Sequence, residues 1–209
     1  MPRAKQRTPE LRDRLLQAAV TMLADNGVAG LTTRRLAREA ETSPPAVYEL
    51  FGDKSGLVRE VFFEGFRMLH RRFGELQNTD DPMDDLLAVV EVFRGFVRQN
   101  PVLADVMFSR PFADFDPGRE ERSAGASVRE FVVGRVARCV ERGLLAAEPT
   151  DAAHALVALV QGLASQERAG WLGTSAESVD RRWELAVSAL LSGLRPPPPL
   201  AVLARPARR

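Results

Sequence analysis

Lys54 stands at the head of a predicted helix in the run ETSPPAVYELFGDKSGL (41–57), where its ammonium adds positive charge to a helix end that already favours anions. The helix before it is headed by two adjacent prolines, Pro44 and Pro45, followed by Ala46. Proline is tolerated in a first turn because the amide it lacks has no intrahelical acceptor there. So small a tip lets the backbone come close to a partner. This is binding chemistry, and little else in the chain supports catalysis. His70 and His154 are the two histidines; they fall on different predicted helices and outside any metal-ligand spacing. There is no glycine-rich phosphate loop, nucleophile motif or cysteine cluster. The chain is not expected to be an enzyme, and no metal or cofactor is implied.

Positioning such a tip requires helices, and 3.6-residue periodicity recurs from end to end with almost no strand signal. Leu15, Ala18, Ala19, Met22 and Leu23 form one face that should stop at Asn26 and Gly27. Thr32 or Thr33 can cap a second helix whose Leu36, Ala37 and Ala40 face inward, with Arg34, Arg35 and Arg38 outward. A three-residue turn, 41–43, leads to the proline-headed helix, with Ser43 as N-cap and Val47 and Phe51 as inward contacts. Three short helices joined so tightly describe a helix-turn-helix.

The remaining chain bounds the possibilities. It has 209 residues, 45% hydrophobic and 27% charged, enough for one sizeable core and too apolar for disorder throughout. The formal net charge is +1, but its distribution is uneven. Residues 1–60 hold ten Lys/Arg against eight Asp/Glu, residues 61–194 hold fifteen against twenty, and residues 195–209 hold four arginines and no acid. Arg3, Lys5 and Arg7 form a basic arm able to follow a nucleic-acid backbone or minor groove. A single cysteine, Cys139, fits a reducing compartment and reads as an inert buried thiol. With no bilayer-length apolar run and no signal core, a soluble cytoplasmic protein is expected.

From Asp53 a longer helix should run to about Asn78 with Val58, Phe62, Phe66, Leu69 and Phe73 as one stripe. Helices are also predicted over 83–99, 101–109, 127–143, 151–172 and 177–194, with a loop over 110–123 and an extended proline- and arginine-rich tail over 195–209. The 151–172 helix is rich in small residues (Ala152, Ala155, Ala158, Gly162, Ala164, Ser165). The 177–194 helix carries Val179, Trp183, Ala186, Val187, Leu190, Leu191 and Leu194. These faces either pack within the chain or form a symmetric four-helix interface with a second copy.

In a helix-turn-helix, the start of the second helix meets base edges in the major groove. Residues of about 10–58, from the alanine-rich first helix through LTTRRLA to SPPAVYELFGDKSGL, resemble the DNA-binding domain of the TetR family of bacterial transcriptional regulators. The resemblance implies an all-α protein of about nine helices: a helix-turn-helix domain over 1–52 and an effector-binding and dimerisation domain over 53–194. It further implies a ligand-inducible homodimeric repressor of a palindromic operator in double-stranded DNA, dimerised through the last two helices. Carried over by position, Thr32 and Thr33 touch phosphate, and Ser43, Pro44, Pro45 and Ala46 face the groove. Tyr48 gives a hydroxyl to phosphate, and Lys54 matches the lysine that opens the next helix. Two positions depart from the pattern: Glu41 replaces the usual glycine of the turn and must adopt a left-handed conformation or change it, and Leu50 replaces a frequent histidine.

Phe66, Leu69, Phe93, Phe96, Met107, Phe108 and Phe112 supply a large apolar surface, which fills an ordinary core or, with the family in view, lines a cavity for an apolar or weakly polar effector. Gln161, Ser165 and Gln166 interrupt an apolar helix and are candidates to orient that ligand or to bond across a dimer. The competing reading is a helical small-molecule-binding or protein-interaction module without DNA binding.

Overall fold

Thr8 starts the first helix, α1 (Pro9–Gly30), its hydroxyl accepting the Leu11 amide at 3.3 Å. The computed structural model describes residues 8–108, 119, 123 and 125–197, and among them nine helices occur and no strand. The basic arm, Phe112, and the tail from residue 198 lie outside the described residues, as does the 110–123 segment apart from Arg119 and Ser123. At Gly27, where the sequence predicts a stop, φ is 64° and α1 kinks before a short final turn.

Thr32 caps α2 (Thr33–Glu39) by accepting the Arg35 amide at 3.4 Å. The turn that follows is closed by Thr42 N–H to the Ala37 carbonyl (2.8 Å) and Glu41 N–H to that of Arg38 (3.2 Å), which puts Glu41 in the left-handed region at φ 52°. Glycine would take that conformation without a Cβ clash; glutamate carries roughly 1 kcal/mol of strain there. Ser43 then precedes α3 (Pro44–Phe51), whose Val47 and Phe51 are buried in the same apolar core as Leu15, Leu23 and Leu36.

Gly52, at φ 74°, turns the chain into α4 (Lys54–Gly74). Asp53 caps α4 by accepting the Gly56 amide at 2.8 Å, and a Cβ on Gly56 would lie 2.0 Å from the Phe51 carbonyl oxygen. Only glycine fits there. The expected extension to Asn78 does not form. Instead Arg135, from the seventh helix, donates to the carbonyls of Leu76 (2.8 Å) and Gln77 (3.0 Å), just past the end of α4.

The body comprises α5 (Pro82–Gln99), α6 (Pro101–Phe108), α7 (Ala126–Glu141), α8 (Pro149–Arg168) and α9 (Ala176–Gly193). α5 packs on α7 and α8, α8 turns back along α7, and α9 lies on α8. α6 lies against both α1 and α4, so head and body touch through it as well as through α4 itself. The approach to α4 is close: a Cβ on Gly65 would fall 2.5 Å from the Met107 sulfur. The apolar stripe of α9 faces inward, with Trp183, Val187 and Leu191 buried, whereas Leu185 is 71% exposed.

Two arginine-centred clusters pin the body. Arg94 of α5 reaches Glu167 of α8 and Asp180 of α9. Asp85, buried at the start of α5, accepts from the Thr79 amide and hydroxyl (2.8 Å) and from Arg138 of α7. Burial pushes its carboxyl up, but the hydrogen bonds from Arg138 and Thr79 prevail and hold it at about 2, below the ordinary 3.8. A depressed acid stabilises the fold at neutral pH and loses that contribution as pH falls from about 4 towards 2. In urea titrations, stability should decline across that window, and Asp85→Asn should remove part of the decline; an unchanged acid profile in the variant would refute the assignment. Cys139 is buried, and its thiol donates to the Pro82 carbonyl at 3.2 Å; burial raises its pKa, as the inert reading requires. No helix among the described residues is long and apolar enough to cross a membrane.

Candidate nucleic-acid interface and interior cavity

α3 buries Val47 and Phe51 and turns the rest of its surface outward, because its apolar positions are four residues apart on one side of a two-turn helix. Its leading end projects into solvent. Ser43 has the extended backbone of an N-cap (φ −105°, ψ 149°), but its side chain makes no capping bond, against the expected capping role. Pro45 is exposed and Pro44 and Ala46 are half-buried. Tyr48, one turn along, is 54% exposed, and its hydroxyl has no partner among the described residues. Lys54 is exposed at the first position of α4, beside the Asp53 cap.

α2 adds to this surface unequally. Thr32 and Arg34 are exposed and Thr33 is half-buried. Arg35 is not a free outward cation: its guanidinium donates to the Asn26 side chain at 2.9 Å, tying α2 to the end of α1. The expected groups are therefore exposed or half-buried, with Arg35 partly committed to Asn26.

Between α4, α5, α7 and α8 lies a cavity of about 540 Å³, within the usual range of roughly 300–1,000 Å³ for small-molecule sites. Of the side chains expected there, Phe66, Leu69, Phe93, Phe108 and Gln161 line it. Phe108 forms the corner, its ring 5.7 Å from Phe66 and 5.6 Å from Phe93. Phe96 and Met107 do not line it, and both expectations are corrected. Phe96 is fully buried beneath the Arg72 guanidinium, 5.4 Å away, and Met107 is used in the α4–α6 contact. Ser165 borders a separate recess of about 130 Å³, which shares Phe93, Phe108 and Gln161 with the cavity and is flanked by the Asp105–Arg168 ion pair. Gln166 is exposed, away from both.

The sequence reading missed the α7 wall and, apart from Gln161, the α8 wall. Val128, Arg129 and Val132 come from α7, and His154, Val157 and Val160 from α8. Their spacing of three and four was available as a signal, but the same spacing marks any packed helix face.

Residues 15–61 match the family model described as "Bacterial regulatory proteins, tetR family", and residues 86–190, half of the chain, match "Tetracyclin repressor-like, C-terminal domain". The chain belongs to the tetR family. Its relatives include the HTH-type transcriptional repressor KstR of Rhodococcus jostii, 26% identical over 185 residues that cover 87% of this chain and 83% of KstR. The nucleoid occlusion factor SlmA of Aliivibrio fischeri is 30% identical over 109 residues, and that match spans about half of each protein, 50% of this chain and 54% of SlmA. Among solved structures, a protein of unknown function from a Rhodococcus species superposes with a TM-score of 0.77 at 23% identity, covering 92% of this chain and 99% of that one. The TetR family regulator PfmR from Thermus thermophilus gives 0.64 at 17% identity, covering 88% and 100%. At such identities the likeness is one of fold. Within this tetR-family fold, the match over 15–61 contains all of α2 and α3, and that over 86–190 contains most of the cavity wall.

Proposed function

We propose that this chain is a homodimeric transcriptional repressor that binds a palindromic operator through α3 and releases it when a small molecule occupies the cavity. The observation that carries the reading is the exposed tip of α3, where Tyr48 stands in solvent one turn behind two prolines, with Lys54 exposed at the start of the next helix. A blunt helix end brings backbone to base edges, while hydroxyl and ammonium groups at its margins reach phosphates. Ser43, Pro44, Pro45 and Ala46 are assigned to the groove and Thr32, Thr33, Arg34, Tyr48 and Lys54 to the backbone, with a lesser part for Arg35.

The division of labour falls at residue 53, where α4 begins. Lys54 lies at one end of this helix and Phe66, Leu69 and Phe73 face the cavity from the other, about 30 Å of helix in all. A ligand that fits the cavity better in one tilt of α4 biases the separation of the two heads, which must sit about 34 Å apart on the operator. The second copy is placed on the outward faces of α8 and α9. There Ala155, Ala158 and Gly162 are exposed small residues that permit close helix approach, and Leu185 adds exposed apolar surface.

The test is a fluorescence-anisotropy titration of the full chain against duplex fragments flanking its own gene, at several salt concentrations. Binding should be at least 1,000-fold tighter, as an order of magnitude, for the operator than for unrelated duplex, and should weaken steeply with salt. Absence of salt-dependent duplex binding would leave the ligand-module reading in its place.

A further inference from the structure

The cavity is polarised. Every lining side chain from α4, α5 and α6 is apolar, including Phe66, Phe73, Val90 and Phe93. Among the described residues, the three polar lining residues, Arg129, His154 and Gln161, come from α7 and α8, and no carboxylate lines the space. Arg129 is exposed at the rim, and no carboxylate among the described residues pairs with it. His154 is held by a 2.8 Å bond between Nδ1 and the Thr150 carbonyl; a carbonyl only accepts, so Nδ1 carries the hydrogen and Nε2 is left for a ligand. His154 and Gln161 are two helical turns apart, about 10 Å along α8, so the polar margin runs the length of one wall.

We infer that the cavity takes an amphipathic anion: an extended apolar body against the α4–α5 phenylalanines, with one carboxylate-like head at Arg129. A cation would meet a guanidinium where no carboxylate among the described residues lines the space, and a wholly apolar molecule would bring no acceptor to the donors of that margin. At about 30 Å³ per water-sized unit, 540 Å³ holds on the order of eighteen non-hydrogen atoms. That is the size of a medium-to-long acyl chain with its head. This narrows the apolar or weakly polar effector of the sequence reading, and it rests on the cavity being the effector site.

Calorimetric titration of the full chain with dodecanoate, dodecanol and dodecyltrimethylammonium, each below its micelle concentration, tests the inference. Dodecanoate should bind at least about tenfold tighter than the alcohol, with the cation weakest, the tenfold corresponding to one charge-assisted contact. Arg129→Gln should shrink the gap between acid and alcohol to about threefold or less, whereas Arg195→Gln, remote and exposed, should leave it intact. Val160→Trp, which fills the cavity, should abolish binding of all three while helical circular dichroism is retained. Equal affinity for acid and alcohol, a preference that survives Arg129→Gln, binding that survives Val160→Trp, or no binding by any probe would each overturn the inference. Release of operator duplex is scored separately. Dodecanoate that binds as described but leaves DNA bound would keep the ligand class and remove the effector role.

Discussion

Arg94→Met is expected to destabilise the chain by about 3 kcal/mol, read as a lowered midpoint in urea unfolding. The Arg94 side chain is 9% exposed, and it donates to Glu167 from Nε and one terminal nitrogen, each at 3.0 Å, and to Asp180 at 2.7 Å. Its guanidinium also lies 4.8 Å from the Trp183 ring, and the Trp183 indole donates to the same Glu167 carboxylate at 2.7 Å. Removing the arginine leaves Glu167, itself largely buried, with a neutral donor and the more distant Arg98 at 3.7 Å. The cost falls at the low end of the range for broken buried pairs because Asp180 is 61% exposed and returns to water. The double change Arg94→Met with Glu167→Gln should recover part of the loss, since the orphaned charge is then gone. A single-variant effect below about 1 kcal/mol would mean that the cluster tolerates dissolution, and that α5, α8 and α9 are held by apolar packing alone.

Tyr48→Phe combined with Lys54→Ala is expected to weaken operator binding by roughly 100-fold, about 3 kcal/mol, with little change in stability. Each dimer would lose two hydroxyl and two ammonium contacts, worth somewhat under about 1 kcal/mol apiece at an exposed interface. With the lost groups assigned to phosphate by the proposal, the weakening should be similar for operator and unrelated duplex, and the salt slope should fall by about 2 for the two lysines. Both side chains are exposed, so urea midpoints should stay within roughly 0.5 kcal/mol of the parent. Loss confined to the operator would instead place these groups on base edges. Unchanged affinity would remove the docking of α3 altogether.

The head was legible in the sequence because its signals are local. A Pro-Pro start and a threonine cap before the second helix each act on backbone within four residues, and the structure starts α2 and α3 where they predict. Glu41 was legible too: the turn needs a left-handed residue, and the structure strains glutamate into that role. The end of α4 was not. Its periodicity continues past Gly74, but an arginine about 60 residues further along the chain donates to the carbonyls of Leu76 and Gln77 just past the helix end.

The same division holds for the cavity. Sequence alone determined that the chain is a string of amphipathic helices with an exposed, blunt recognition tip, since periodicity and capping are properties of neighbouring residues. Which phenylalanines face a void and which are sealed in the core was decided only on folding. Phe93 and Phe96 sit three residues apart on one helix, yet one lines the cavity and the other lies fully buried under Arg72. The pairing of Arg94 with two acids more than 70 residues away was likewise beyond any local pattern. Helix spacing fixes the direction in which a side chain points, whereas what it meets there depends on how the other helices pack against it.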